Sequence, residues 1–220
     1  MLSETQTRDE ICRIGKSLFD RGYVHATAGN ISAYLDDGFL ITPTDACLGS
    51  LDPSKLSKID FNGQQISGEK ASKTLMLHRQ IYCASRLFDP LTSCIIHTHS
   101  THCVAVTLTK PLVELLAPIT PYFVMKVGHV PVIPYSYPGS AQAVADVMQV
   151  IQTYGDIGTP IRALMLSKLG PTVWHQSPSA AMAVLEELEE TAKLSILCPD
   201  TPALSDNEIN TLRLQFGARW

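Results

Sequence analysis

An apolar run that ends in two histidines, Cys94-Ile95-Ile96-His97-Thr98-His99, constrains this chain more than any other stretch. Cys94 to Ile96 are bounded by polar residues and read as a buried strand, along which side chains alternate between faces. His97 and His99 therefore point the same way, with Cβ atoms about 6.5–7 Å apart. That spacing lets both rings bend onto one ion at about 2.0–2.1 Å if the ion is zinc, which makes half a metal site. The alternative is a pair of imidazoles satisfied by backbone groups at the end of a core strand.

At 220 residues, 45% of them hydrophobic and 17% charged, the chain is expected to form a single globular unit spanning residues 1–220. A net charge of −4 with no Lys/Arg block excludes a nucleic-acid footprint, whereas a small anion needs only one or two local cations and some backbone donors. The polar start, Met1 to Asp9, and the lack of a long apolar run lead us to expect a cytoplasmic protein that does not enter the membrane. Cysteines 12, 47, 83, 94, 103 and 198 lie scattered in apolar patterns without a CxxC pair, so reduced thiols are expected.

Strand and helix signals interleave along the chain. Thr7 with Glu10 predicts a capping box for a first helix ended by Gly22, and Asp37-Gly38 and Asn62-Gly63 predict two hairpins. Ser72 reads as the N-cap of a helix running to about Phe88, with Thr74 and His78 on one face. A short helix is expected from Thr101, a helix over Ser140 to Tyr154, a strand over Ile161 to Ser167 turning at Gly170-Pro171, and a long helix from Pro178 to Leu197. Its Glu186, Glu187, Glu189 and Glu190 read as a solvated face, and Ser205 with Glu208 caps a last helix. The pattern predicts an α/β fold in three layers, a mixed and largely antiparallel central sheet covered by helices.

Three stretches are candidate anion sites. Thr27 to Ser32 (TAGNIS) offers free backbone N–H groups at Gly29 and the Asn30 amide, although from spacing alone a plain tight turn is the preferred reading. The same alternative holds for Thr42 to Asp45 (TPTD). Ser72-Lys73 puts a hydroxyl and a cation at a helix N-terminus, the better anion site of the three.

In order and near spacing, GNIS, ITPT, the helix bearing His78, HTHSTH, TPYFVMKVG, PYSYPG and LEELEETAKL resemble the class II (zinc) sugar-phosphate aldolases of the fuculose-phosphate aldolase and adducin-head type. Within that family the chain is most similar to the 3-oxo-tetronate 4-phosphate decarboxylases. The resemblance runs from about residue 7 to 198 and implies a carbon-carbon lyase with a Zn2+ or other divalent ion, assembled as a homo-oligomer, most often a tetramer, with sites at subunit interfaces. It implies a substrate cradle of Gly29, Asn30, Thr44, Asp45, Ser72 and Lys73, metal ligands His97 and His99, and Tyr122 as a proton donor reaching a neighbouring subunit's site.

The chain departs from the family pattern at two positions that matter for chemistry. Thr74 stands where the family has its acid/base Glu, and Leu169 stands where an Asn-His-Gly stretch supplies the third zinc histidine. Asp45 replaces a glycine beside the phosphate. Two functions follow: decarboxylation of a 3-oxo-tetronate 4-phosphate to dihydroxyacetone phosphate and carbon dioxide, or a metal-poor relative that binds sugar phosphates without turnover. His78, His102, His129 and His175 are candidate replacement ligands, and of these only His78 sits on an element that the resemblance places near the pocket.

Overall fold

The computed structural model describes residues 3–137 and 139–220; Met1, Leu2 and Pro138, which fall in the polar start and the PYSYPG motif, lie outside the described residues. Eight strands form one sheet in the order β4-β3-β2-β1-β5-β8-β7-β6. They are β1 (Asn30–Leu35), β2 (Gly38–Ile41), β3 (Ser57–Ile59), β4 (Gln65–Ser67), β5 (Cys94–His97), β6 (Val132–Ile133), β7 (Ala163–Leu166) and β8 (Gly170–His175). Every neighbouring pair is antiparallel except β6 with β7, so the sheet is mixed and largely antiparallel as expected.

Among the described residues six α-helices accompany it: α1 (Glu4–Asp20), α2 (Leu75–Ser85), α3 (Thr101–Thr109), α4 (Ala141–Asp156), α5 (Pro178–Leu197) and α6 (Asp206–Phe216). The two-residue period of the strands sorts the core into layers. Ile31, Ala33, Cys94 and Ile96 pack with Ile11 of α1, Cys103 of α3 and Leu185 of α5. Ile95, Leu164 and Trp174 point to the other face and pack with Ile81 of α2 and Val147 of α4. That second face also receives Asn30, Ser32 and His97, because each is an even number of residues from a side chain that lies there. The polar residues that β1 and β5 carry at their ends are thereby collected under α2.

Two local expectations change. The capping box of α1 is Ser3 with Gln6, one turn before Thr7, so Thr7 sits inside the helix and its hydroxyl donates to the Ser3 carbonyl. Ser72 does not cap α2; Thr74 is the N-cap, without a side-chain cap bond, and the Ser72 Oγ instead meets the Thr74 hydroxyl at 2.9 Å. The first hairpin turns at Asp36-Asp37, one residue before the expected Asp37-Gly38, because Gly38 already pairs with Leu35 in the ladder; the second hairpin and the caps Ser140, Ser177 and Ser205 lie where the turn and capping chemistry places them. The glutamate face of α5 is solvated only in part. Glu189 is buried and its carboxylate accepts the backbone N–H groups of His102 and Cys103, anchoring the start of α3.

Candidate active site

A cavity of about 490 Å3 opens where the C-terminal end of β5, the turn before β1, the turn after β2 and the start of α2 converge. Gly29, Asn30, Thr44, Asp45, Ser72, Lys73, Thr74, His97, His99 and Leu169 all line it. The antiparallel register explains the meeting of Asn30 and His97, which are Cα partners across β1 and β5. Tyr122 is elsewhere: it is 60% exposed and does not line this cavity. The opposite wall comes from the segment before α4 and its first turn, Ser136, Tyr137, Ser140 and Ala143 among them, which sequence reasoning did not assign to the site.

Backbone strain concentrates around the cavity. Among the described residues, Ala26, Asp45 and Lys168 are the non-glycine residues with positive φ, at 48°, 57° and 65°. Asp45 lines the cavity, Ala26 precedes the lining residue Thr27, and Lys168 lies between the lining residues Ser167 and Leu169. Such conformations cost on the order of 1–3 kcal/mol each and persist where the surroundings fix them. Two glycines meet the same demand. Gly29 has φ +85° and a Cβ there would stand 2.7 Å from Val24 and 3.0 Å from the His97 carbonyl oxygen; Gly170 has φ +150° and a Cβ there would stand 1.9 Å from the Thr98 carbonyl oxygen. Both hold the turn that carries His97 and His99.

His97 is 6% exposed and its Nδ1 lies 3.0 Å from the Thr172 hydroxyl of β8. Burial, then the neighbouring His99, pushes its pKa down to about 3. Burial and then His25 also lower His99. Neutral imidazoles are thus the resting state at neutral pH. His97 and His99 have ring centres 5.3 Å apart, and His25, which sequence reasoning passed over, stands 6.3 Å from His99. Two imidazoles that share a zinc ion at tetrahedral angles have ring centres about 5 Å apart, so the first pair has the spacing of co-ligands.

The other half of a zinc site does not follow. Leu169 offers no donor, Thr74 offers a neutral hydroxyl, and among the described residues no three His, Cys, Asp or Glu side chains are placed to hold an ion. The donor set does not fit a three-ligand catalytic zinc. The other histidines are used for structure. His102 pairs with Glu189 at 2.8 Å, His129 stacks on Trp220 at 4.3 Å, and His175 lies 3.2 Å from an Arg162 nitrogen. His78 is fully buried, with ring nitrogens on Ser32 and Asn30.

The sheet order, the three layers and a cavity built from the turn before β1, the start of α2 and the end of β5 define a class II aldolase fold, and the chain belongs to the family described as Class II Aldolase and Adducin N-terminal domain, whose model matches residues 9–196. Among its relatives, the 3-oxo-tetronate 4-phosphate decarboxylase of Cupriavidus necator is 50% identical over 229 residues, covering 100% of both chains. The protein of the same name from Escherichia coli is 38% identical over 96% of each chain. The crystal structure of YgbL from Escherichia coli superposes with a TM-score of 0.85 at 37% identity, covering 96% of this chain and 100% of that one. A solved L-fuculose 1-phosphate aldolase, at a TM-score of 0.81 and 23% identity over 99% of this chain and 98% of that one, shares the fold.

Proposed function

We propose that this chain is a carbon-carbon lyase that decarboxylates a 3-oxo-tetronate 4-phosphate to dihydroxyacetone phosphate. The observation that carries this reading is the gathering of the anion cradle and the His97–His99 pair in one cavity, in a chain 50% identical end to end to a protein of that activity. Gly29, Asn30, Thr44, Ser72 and Lys73 hold the phosphate, with Lys73 as the cation and the backbone and amide as donors. Asp45 adds a negative charge that selects against a second anionic group at that end.

In the reaction the C1–C2 bond breaks and carbon dioxide leaves. The electron pair forms the C2–C3 double bond, and the negative charge rests on the C3 oxygen until C2 takes a proton. N–H groups of the His97–His99 pair stabilise that oxygen. Aldol cleavage begins by removing a hydroxyl proton and needs a base, whereas a β-keto acid ionises no hydroxyl before the bond breaks. Thr74 in the place of a Glu is consistent with the second chemistry. The cavity's apolar side, Met76, Leu77 and Leu169, lowers the local dielectric where carboxylate is lost.

Tyr122 is exposed, which suits a side chain that delivers the C2 proton in a neighbouring subunit's cavity. Leu108 and Val113, 63% and 82% exposed, add apolar surface for a homo-oligomer, which we read as a tetramer. A divalent ion of the kind the family uses would have only His97 and His99 as protein donors. Six unpaired cysteines suit a cytoplasmic setting, and no helix among the described residues is long and apolar enough to cross a membrane. We read residues 1–220 as one domain, since the sheet draws strands from residue 30 to residue 175. Incubation with 3-oxo-tetronate 4-phosphate and, separately, with L-fuculose 1-phosphate tests the reading; consumption of the first and not the second is expected.

A further inference from the structure

We propose that His78 is a positioning residue for substrate binding: its Nε2–H fixes the Asn30 amide so that the Asn30 NH2 faces the cavity as a donor to the anionic end of the substrate. The inference rests on the proposed function for the identity of that anion, but its geometry stands alone. His78 comes from α2 and is fully buried, so both ring nitrogens depend on protein partners. Nε2 lies 2.6 Å from Asn30 Oδ1 and Nδ1 lies 2.7 Å from Ser32 Oγ.

Asn30 Oδ1 only accepts, so the ring proton belongs on Nε2 and Nδ1 accepts the Ser32 O–H. Ser32 in turn accepts from the Tyr82 O–H at 2.9 Å, which is nearer than the phenol's other partner, the Ser93 carbonyl, at 3.4 Å. The chain of donors therefore runs Tyr82, Ser32, His78, Asn30 and ends on an amide that lines the cavity. No acceptor among the described residues takes the Asn30 Nδ2. In the opposite tautomer Nε2 would accept a hydrogen bond from the Asn30 NH2, which turns the amide over and points its Oδ1 to the cavity, where it repels an anion. Among the described residues no carboxylate or cation touches the ring, so the tautomer sets which face of the amide the substrate meets.

The test uses the full-length protein and two substitutions that each keep half of the imidazole. His78→Gln retains a donor near the Nε2 position, and His78→Asn retains only the partner for Ser32. With inorganic phosphate as the titrant and 3-oxo-tetronate 4-phosphate as the substrate, His78→Asn is expected to weaken both phosphate binding and KM by about tenfold or more, the scale of one lost hydrogen bond to a charged group, while kcat changes far less. His78→Gln restores most of the loss. Equal loss in the two variants, or none in His78→Asn, overturns the proposal. Nitrogen-15 NMR of the unaltered protein is the second arm: a proton on Nε2 is expected, and a proton on Nδ1 overturns the proposal even where a variant fails to fold. If phosphate binds as stated but the sugar-acid phosphate is not consumed, the proposed function fails and the role of His78 stands.

Discussion

The α-carbon of Gly29 lies so close to the His97 carbonyl that a Cβ on it would stand 3.0 Å from that oxygen and 2.7 Å from Val24. The Gly29 turn and the histidine strand are thus packed as one piece, and the turn cannot take a side chain without moving the strand end. Gly29→Ala combines that clash with a φ of +85°, which alanine reaches only at a cost of roughly 1 kcal/mol. We expect a loss of about 1–3 kcal/mol in stability and a larger loss in kcat/KM than the stability change explains. Urea melts beside steady-state kinetics measure both.

Lys73 and Asp45 face the same cavity with opposite charges. Lys73→Ala is expected to raise KM for the phosphorylated substrate by about tenfold or more with a smaller effect on kcat, since it removes binding that is equal in ground and transition states. Asp45→Asn keeps a residue that tolerates the left-handed conformation at φ 57° and removes the charge, so KM should fall. A rise in KM for Asp45→Asn would show that the carboxylate binds substrate instead of filtering it.

Leu169 lines the same cavity as His97 and His99 but carries no donor. In the unaltered protein a zinc ion held by two imidazoles should be stripped by dialysis against a chelator. Leu169→His adds the missing donor type, and we expect the desalted variant to retain more zinc than the parent by mass spectrometry of the metal content. Stoichiometric zinc in the chelator-treated parent would contradict the two-donor description.

His78 and His97 both have pKa values lowered to about 3, chiefly by burial. Between that value and the ordinary histidine value of about 6.5, the unfolded chain binds protons that the native chain does not. Stability therefore is fully present above about pH 6.5 and declines as pH falls, by about 1.4 kcal/mol per pH unit for each histidine. Urea midpoints at pH 7 and pH 5 should show this decline. In His78→Gln the slope should be shallower by one histidine's share, and an unchanged slope would contradict the burial of a neutral His78.

The layered fold was legible because its punctuation is local. Asn62-Gly63, Pro178 and Ser205 with Glu208 each act within a few residues and the structure places a turn or a cap at all of them, while the Asp37-Gly38 signal marks the first hairpin to within one residue, its turn being Asp36-Asp37. That Gly29, Asn30, Thr44, Asp45, Ser72 and Lys73 come together was expected from the motif resemblance, and all six line one cavity. Long-range partners were not. Nothing near Glu189 in sequence indicates that it reaches back 87 residues to His102, and His78 looked like a spare ligand until its register against Asn30 and Ser32 was known. His25 and the wall before α4 were missed for the same reason, because only the folded turn brings His25 toward His99.

Substrate labelled with carbon-13 at C1 bears most directly on the proposed reaction. Incubated with the purified protein and followed by NMR, 3-oxo-tetronate 4-phosphate should release labelled carbon dioxide in equal amount to unlabelled dihydroxyacetone phosphate, faster than its spontaneous breakdown, and His97→Ala should return the rate toward that background. Binding of the phosphorylated substrate with no release above background, in protein that is fully folded, would contradict the lyase reading and leave a sugar-phosphate binder.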